Sequence, residues 1–374
     1  MRTLLLTPGP LTTSDRTRAA MARDWGSRDG DFLVMSERVR ARLLALSGAG
    51  AATHVAVPVQ GSGTFAVEAA VQTLVPRGAK LLVLVNGAYG RRVAEIARRL
   101  GRVVATLEVP EDEAVEPAAV DRALAADPAI TDVVLVHLET TSGLLNPLAG
   151  VAAVVRAQGR RLLVDAIGSL GAVPIPDGLP FAALVGSANK GLEGVPGLAF
   201  VVAERARLAA SAGNAAGLSL DLHAQWQGFE REGGQWRFTP PTHAVAALDA
   251  ALDQLDEEGG VTAREARYRR NCATLVAGMR MLGFDPYLPD ALQGPVIATF
   301  RAPSGGGWFN FGQLYGYLRE RGVVIYPGKL TAEPSFRIGC IGAVDEADMR
   351  RVLALVKGFV AAHRRAAQAA AETG

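Results

Sequence analysis

Short runs of apolar residues alternate with stretches of helical periodicity from about residue 55 to residue 202. Continuous apolar runs of about four to eight residues are typical of strands that are buried on both faces of a parallel sheet. Apolar residues spaced three and four positions apart between such runs are typical of helices that cover the sheet. The pattern therefore predicts an α/β domain with a mostly parallel, seven-stranded sheet flanked by helices.

The individual elements of this domain are bounded by Gly, Pro and polar residues. The predicted strands are Val55–Val59, Lys80–Val85, Arg102–Leu107, Asp132–His137, Arg161–Asp165, Ala182–Val185 and Leu198–Val202. Helices are expected to follow Gly63, Gly90, Pro117, Pro147 and Gly168.

The pattern changes after Pro241, where a long helical run reaches about Met281 with a break at Gly259 and Gly260. The remainder mixes both element types and predicts a smaller α+β domain. Its expected elements are strands Pro295–Phe300, Val323–Ile325 and Phe336–Gly339, helices Phe309–Arg321 and Asp345–Arg365, and a frayed alanine-rich tail. The predicted organisation is an N-terminal segment of residues 1–15, a large domain of residues 16–260 and a small domain of residues 261–374.

Composition narrows the class of protein. The 374 residues are 49% hydrophobic and 20% charged, with 39 basic and 37 acidic residues interspersed, so neither nucleic acid nor an anionic membrane is an expected partner. No apolar stretch reaches the roughly 20 residues that span a bilayer. Two cysteines cannot form a disulfide framework, and the first apolar run is too short for a signal peptide, so a cytoplasmic enzyme is expected.

Lysine is scarce in this chain, with residues at positions 80, 190, 329 and 357 only. Lys190 follows a predicted strand in a loop of small neutral residues, 186–191. Desolvation in such a loop lowers the pKa of the amine, and a nucleophile that attacks an aldehyde must be the free amine. The alternative is an ordinary surface lysine, which the neutral surroundings disfavour.

Two further features lie where predicted strands end. Ser62, Gly63 and Thr64 begin a helix, where free backbone N–H groups and the helix dipole favour an anion such as phosphate. A plain tight turn explains this segment equally well. Asp165 ends an apolar strand at the sheet edge where ligands bind, and a pyridinium nitrogen is one cation that a buried carboxylate accepts. The alternative for Asp165 is a helix cap.

Two more side chains extend the predicted site. Tyr89 follows another strand and can stack on a flat heterocycle, although a tyrosine there can also serve as core. Arg337 ends a strand of the small domain and can bind an anionic substrate, or can be paired within the fold. The five histidines lack metal-ligand spacing, so no metal site and no catalytic triad are expected.

Together these motifs resemble the class V, fold type I family of pyridoxal-phosphate-dependent aminotransferases, and within it the branch that acts on 2-aminoethylphosphonate and pyruvate. The resemblance covers nearly the whole chain, in residues 4–14, 61–68, 86–90, 139–143, 187–190, 193–197, 236–243 and 326–329.

The resemblance implies a role for each matching residue. Lys190 is implied to carry pyridoxal 5′-phosphate as a Schiff base, and Asp165 to pair with the ring nitrogen. The implied cofactor-binding set is Ser62, Gly63, Thr64, Tyr89, Thr141, Asp165, Ser187, Asn189, Lys190, Thr239 and Thr242, the last two acting across a homodimer interface. Arg337 is implied to bind the substrate's anionic end, with Thr12 and Thr13 of the N-terminal segment folding over it.

The implied reaction moves the amino group of 2-aminoethylphosphonate to pyruvate, giving phosphonoacetaldehyde and alanine in phosphonate catabolism. One alternative is an alanine-glyoxylate or serine-pyruvate type of aminotransferase, in which Arg337 holds an α-carboxylate. A lyase or desulfurase keeps the cofactor, but a desulfurase requires a reactive loop cysteine, and Cys340 is expected to be packed. The alternative from another class is a non-catalytic small-molecule binding protein of doubly wound fold.

Overall fold

The computed structural model describes residues 3–304, 307–330 and 333–373. The strands are β1 Leu4–Leu5, β2 His54–Gln60, β3 Lys80–Val85, β4 Val103–Glu108, β5 Ile130–Val136, β6 Leu138–Glu139, β7 Leu144–Leu145, β8 Arg161–Asp165, β9 Ala183–Ser187, β10 Leu198–Glu204, β11 Ile297–Arg301, β12 Val323–Val324, β13 Tyr326–Pro327 and β14 Ser335–Gly339. The helices are α1 Asp15–Ala19, α2 Gly30–Leu46, α3 Gly63–Leu74, α4 Ala88–Arg99, α5 Pro117–Ala126, α6 Leu148–Ala157, α7 Arg205–Ala209, α8 Leu222–Arg231, α9 Thr242–Glu258, α10 Gly260–Met281, α11 Phe311–Glu320 and α12 Glu346–Thr373.

Seven strands form the central sheet in the order β2-β10-β9-β8-β5-β3-β4. Strand β10 runs antiparallel to both of its neighbours, and the other pairs in the sheet are parallel. The prediction of a mostly parallel, seven-stranded sheet is confirmed. Because six strands point the same way, their carboxyl ends meet at one edge of the sheet, where ligands bind in open α/β sheets.

Apolar strands and helices form one large core around this sheet. It extends along the chain from Phe32 to Leu255 and includes the side chains of α3, α4 and α9. Strand β3 is buried along nearly its whole length because helices cover both faces of the sheet. The sheet edge at β4 is more open, and Val103 is 55% exposed there.

A second apolar core lies around the three-stranded sheet β11-β14-β13. Helices α10 and α12 pack on each other there. Strand β1 pairs in parallel with β12, and Leu4 and Leu6 belong to this second core. The N-terminal segment is therefore attached to the C-terminal part of the chain. The division of the chain at residue 260 stays a prediction, which the two separate cores support.

Most predicted elements are confirmed within one or two residues. The predicted break between two long helices is also confirmed, at Gly259, whose φ is +105°. Two other expectations are wrong. No helix follows Gly168: the segment forms consecutive tight turns, because Gly171 has φ +81° and Gly168 packs against the backbone of Leu138. The tail is not a frayed end in this structure, since helix α12 continues to Thr373, in keeping with the high helix propensity of alanine.

Candidate active site

A cleft of about 460 Å³ opens at the carboxyl edge of the central sheet. It brings together eight of the residues that the sequence predicts for the cofactor, although they lie on four separate stretches of the chain. They are Ser62, Gly63, Thr64, Tyr89, Asp165, Ser187, Asn189 and Lys190. Their convergence follows from the parallel strands, each of which ends at this edge before the chain turns away.

Lys190 projects into the cleft from the loop after β9. Its Nζ donates a hydrogen bond to the carbonyl of Gly9, with 3.2 Å between the two atoms. Burial lowers the pKa of Lys190, and the positive charges of Arg337 and Lys329 also lower it. The pKa shift raises the fraction of free amine, the form that attacks an aldehyde.

Gly9 has a specific reason to be glycine at this point. Its φ is +110°, and a Cβ there would lie 2.4 Å from the carbonyl oxygen of Asn189 and 2.6 Å from Cδ of Lys190. The glycine thus lets the N-terminal segment run directly over the lysine. Pro10 lines the same cleft. That residues 1–15 lie over the site stays a prediction, which these contacts support.

Asp165 is the last residue of β8 and is only 6% exposed. Its Oδ1 accepts a hydrogen bond of 3.0 Å from the backbone N–H of Ile167. Burial, followed by repulsion from Glu139, raises the pKa of Asp165 to about 6. Among the described residues, no cation lies within ion-pair distance of this carboxylate. A buried acid of this kind fits a cofactor whose ring nitrogen becomes positively charged.

The start of helix α3 fits a phosphate group. Ser62 is the N-cap, and its hydroxyl makes no capping hydrogen bond. Among the described residues, no acceptor pairs with the first N–H groups of the helix, at Gly63 and Thr64, and both residues face the cleft. A Cβ on Gly63 would lie 2.5 Å from Cδ1 of Ile167, so the helix begins in close contact with the loop after β8. Free N–H groups and the helix dipole favour an anion here.

Tyr89 is held in place by a buried carboxylate that the sequence analysis did not assign. The N–H groups of Tyr89 and Gly90 donate to Oε2 of Glu139, over 3.2 and 3.3 Å. Thr141 donates to Oε1 of Glu139 at 2.6 Å and accepts from the N–H of Ala88 at 2.9 Å. Glu139 therefore caps helix α4 and fixes the tyrosine. The hydroxyl of Thr141 is engaged in this cap, and its role toward the cofactor stays a prediction.

Arg337 lies on β14 and is 3% exposed. Its Nε donates to the carbonyl of Pro327 at 3.0 Å, and its Nη1 donates to the carbonyl of Thr140 at 2.9 Å. Burial lowers the pKa of this guanidinium. The two backbone contacts fix the plane of the side chain next to Tyr89, so the remaining N–H groups are oriented before a substrate arrives.

Six predicted residues do not line the cleft of their own chain: Thr141 and Arg337, described above, and Thr12, Thr13, Thr239 and Thr242. Thr12 accepts the N–H of Leu5 at 2.7 Å, and Thr13 accepts a hydrogen bond of 3.3 Å from Arg18. Thr239 is exposed and Thr242 is the first residue of α9 on the surface of the large domain. Their roles toward substrate and cofactor stay predictions. Within the cleft, Ser187 at the end of β9 donates to Oδ1 of Asn189 at 2.6 Å.

Two basic residues of the site were missed by the sequence analysis. Arg92 lines the cleft, lies 4.9 Å from the centre of the Tyr89 ring and donates to the hydroxyl of Thr64 at 3.3 Å. Its position one helical turn after Tyr89 is a signal that could have found it. Lys329 contacts the same tyrosine from the small domain. The sequence indicated Lys329 only in that it is one of four lysines in the chain.

The cysteines do not form a reactive site. Cys272 and Cys340 are free and buried. A hydrogen bond with Cys272, together with burial, raises the pKa of the Cys340 thiol. A thiol with a raised pKa in a dry core is a poor nucleophile, so the desulfurase alternative lacks its reactive cysteine.

Known proteins are similar to this chain over nearly its whole length. The chain is 53% identical over 354 residues to the 2-aminoethylphosphonate–pyruvate transaminase of Pseudomonas aeruginosa, covering 94% of this chain and 95% of that protein. It is 52% identical over 372 residues to 2-aminoethylphosphonate–pyruvate transaminase 2 of Burkholderia lata, covering 98% of each.

Solved structures share the whole fold. Pyridoxamine-pyruvate aminotransferase from Mesorhizobium loti superposes with a TM-score of 0.88 at 26% identity, covering 100% of this chain and 98% of that one. Alanine–glyoxylate aminotransferase from a Nostoc species gives a TM-score of 0.87 at 24% identity, covering 96% of each chain, and this likeness concerns the fold alone.

The model of the aminotransferase class-V family matches residues 14–345, which is most of the chain. A non-catalytic binding protein is therefore excluded. The chain belongs to the class-V aminotransferases, fold type I enzymes that use pyridoxal 5′-phosphate.

Proposed function

We propose that this aminotransferase moves the amino group of 2-aminoethylphosphonate to pyruvate and yields phosphonoacetaldehyde and alanine. The observation that carries the proposal is that Lys190 and Asp165 line one cleft and that the positive charges of Arg337 and Lys329 act on Lys190 there. The two transaminases of P. aeruginosa and B. lata, similar over nearly their full length, support the choice of substrates.

The residues of the cleft fit the parts of the cofactor one by one. The first turn of α3 would hold the phosphate, Asp165 the ring nitrogen, and Tyr89 one face of the ring. Lys190 would hold the aldehyde carbon through its amine. When bound, pyridoxal 5′-phosphate supplies an electron sink that stabilises negative charge on the substrate carbon bearing the amine.

The chain's own groups then perform the proton transfer. With cofactor and substrate bound, Lys190 Nζ would act as the base that takes the proton from the amine-bearing carbon of the substrate. Asp165 would hold the ring nitrogen and, in its charged form, would favour the protonated state of that nitrogen. Arg337 binds the anionic end of the substrate and orients that carbon toward Lys190.

A donor assay tests the proposal. Purified holoenzyme is given 2-aminoethylphosphonate, L-alanine or L-serine as donor and pyruvate or glyoxylate as acceptor. We expect kcat/KM for 2-aminoethylphosphonate to exceed that for serine by at least about tenfold, because the site supplies two cations to one anionic group. Absence of turnover with 2-aminoethylphosphonate, together with efficient use of serine or alanine with glyoxylate, would contradict the proposed substrate and favour the alanine-glyoxylate or serine-pyruvate type.

The same proposal includes a homodimer, to which the exposed Thr239 and the first turn of α9 contribute. A groove of about 600 Å³ adjoins the cleft at Gly61 and is lined by Phe65, Phe238 and Thr239. Phe65 and Phe238 are 51% and 48% exposed. Large apolar side chains gathered in one surface groove mark an interaction site. A second copy placed there would bring its own Thr239 toward the edge of the cleft.

The dimer predicts that interface and cofactor affinity change together. In Phe238→Asp, we expect a shift from dimer toward monomer in sedimentation equilibrium and a dissociation constant for pyridoxal 5′-phosphate at least about tenfold weaker. Met281→Asp is the matched control, because Met281 is 85% exposed on α10 and far from the groove in sequence. A Phe238→Asp protein that stays dimeric with unchanged cofactor affinity would remove this face from the interface.

Location in the cell is a further part of the proposal. Among the described residues, no helix has the length and apolar character that a membrane crossing requires. The cytoplasmic location stays a prediction that rests on the two-cysteine composition.

A further inference from the structure

Two cations of the small domain meet at the hydroxyl of Tyr89. Nζ of Lys329 lies 3.3 Å from the tyrosine oxygen and 4.5 Å from the centre of the ring. Arg337 adjoins the same tyrosine, and the charges of the two side chains act on each other. Because Tyr89 lines the cofactor cleft, the two positive charges lie beside the place where a substrate must bind.

Neither cation has a carboxylate partner among the ion pairs of the described residues. Glu139 is the acid whose charge acts on Arg337, but its oxygens already accept hydrogen bonds from helix α4 and Thr141. Lys329 is partly buried, and Arg337 is buried almost completely. Two unpaired cations in such a position require an anion for full stability.

The geometry of Arg337 shows why one cation does not complete the site. Backbone carbonyls of Pro327 and Thr140 occupy its Nε and one hydrogen of Nη1. The rest of the guanidinium satisfies the two oxygens of a carboxylate. A phosphonate has three oxygens and, like a phosphate ester, carries more than one negative charge near neutral pH. The ammonium group of Lys329, which lies at the Tyr89 hydroxyl, has N–H donors and a positive charge that suit this additional demand.

We propose that Lys329 is a specificity-determining residue that binds the phosphonate end of the amino donor together with Arg337, and so favours phosphonates over carboxylates. The inference rests on the proposed function and deepens it, because it names the group that distinguishes the two donor classes. Tyr89 lies next to both cations, and its backbone is held in place by a hydrogen bond to Glu139.

The test compares Lys329→Met with Lys329→Arg and with a control, Lys357→Met, which changes an exposed lysine of α12. Single-turnover rates are measured from the absorbance of the bound cofactor with 2-aminoethylphosphonate and with L-alanine. In Lys329→Met, we expect the rate constant ratio of phosphonate to alanine to fall about ten- to hundredfold. Lys329→Arg should restore most of the ratio, and Lys357→Met should leave it unchanged.

A binding measurement separates this inference from the proposed function. Calorimetry with the holoenzyme gives dissociation constants for ethylphosphonate and propionate, which bind without reacting. We expect Lys329→Met to weaken ethylphosphonate at least about tenfold and propionate less than about threefold. Equal losses for both probes, and equal losses of rate for both donors, would overturn the role of Lys329. A wild-type enzyme that does not turn over 2-aminoethylphosphonate would refute the proposed function. In that case, the binding of ethylphosphonate would still show whether Lys329 binds a phosphonate group.

Discussion

Lys190→Ala is expected to reduce transamination by at least about a thousandfold, because it removes the amine that is proposed to attach the cofactor and to serve as the base that moves the proton. The substitution shortens a side chain in a loop whose other contacts are backbone hydrogen bonds, such as the N–H of Glu193 to the carbonyl of Lys190. The fold should therefore survive. We therefore expect a loss of catalytic activity and not of the folded structure.

Three measurements check this expectation. Steady-state rates give the loss of turnover, the visible absorbance of the bound cofactor reports its attachment, and borohydride reduction followed by mass spectrometry locates the attached group. In the wild type the added mass should lie on Lys190, and in Lys190→Ala it should be absent. Lys357→Ala is the control for loss of an exposed lysine. Turnover close to the wild-type rate in Lys190→Ala would assign the chemistry to another group.

Much of the fold could be predicted from the sequence because the central sheet is buried on both faces. Strands β3 and β8 have the predicted bounds, Lys80–Val85 and Arg161–Asp165, since each is one apolar run that ends at a polar or flexible residue. Helix α2 was not predicted, because its sequence mixes arginines with apolar residues and shows no clear apolar run. One of these arginines, Arg40, is buried over the ring of Phe229.

Those residues of the candidate site that lie at or shortly after the end of a strand could be predicted from the sequence. They are Asp165, Lys190 and the start of α3. What escaped prediction depends on contacts between distant parts of the chain. Glu139 reaches back about 50 positions to cap the helix of Tyr89, and Lys329 reaches the same tyrosine across 240 positions. Local periodicity contains no information on such pairs. The attachment of the N-terminal strand to β12 escaped for the same reason.

Asp165→Asn is expected to stabilise the cofactor-free protein above pH 6 while it damages the enzyme. Burial raises the pKa of Asp165 to about 6 in the folded protein, against about 3.8 for an ordinary aspartate. The folded state therefore holds this proton more tightly than the unfolded state. The free energy of unfolding loses a contribution as pH rises from about 4 through 6, and the loss of about 3 kcal/mol is complete above that range. Asparagine keeps the contact with Ile167 and has no charge to bury.

Urea unfolding of the cofactor-free proteins at pH 4, 5 and 8 measures this effect. The difference between Asp165→Asn and the wild type should be small at pH 4 and should reach up to about 3 kcal/mol in favour of the variant at pH 8. Asp177→Asn, which changes an exposed aspartate of the loop before β9, controls for the loss of an acidic side chain elsewhere. A pH-independent difference would mean that Asp165 is charged in the folded protein throughout this range.

The holoenzyme should show the reverse order of stability. If Asp165 holds the ring nitrogen as proposed, a positive charge there would make the carboxylate that destabilises the empty site stabilise the filled one. Added pyridoxal 5′-phosphate should therefore raise the unfolding free energy of the wild type by more than that of Asp165→Asn. Turnover in the variant should fall on the order of a hundredfold or more, because the site would lack the fixed negative charge that is proposed to stabilise a protonated ring nitrogen. The opposite effects in the empty and filled site follow from one cause, an acid that is buried without a partner until the cofactor provides it.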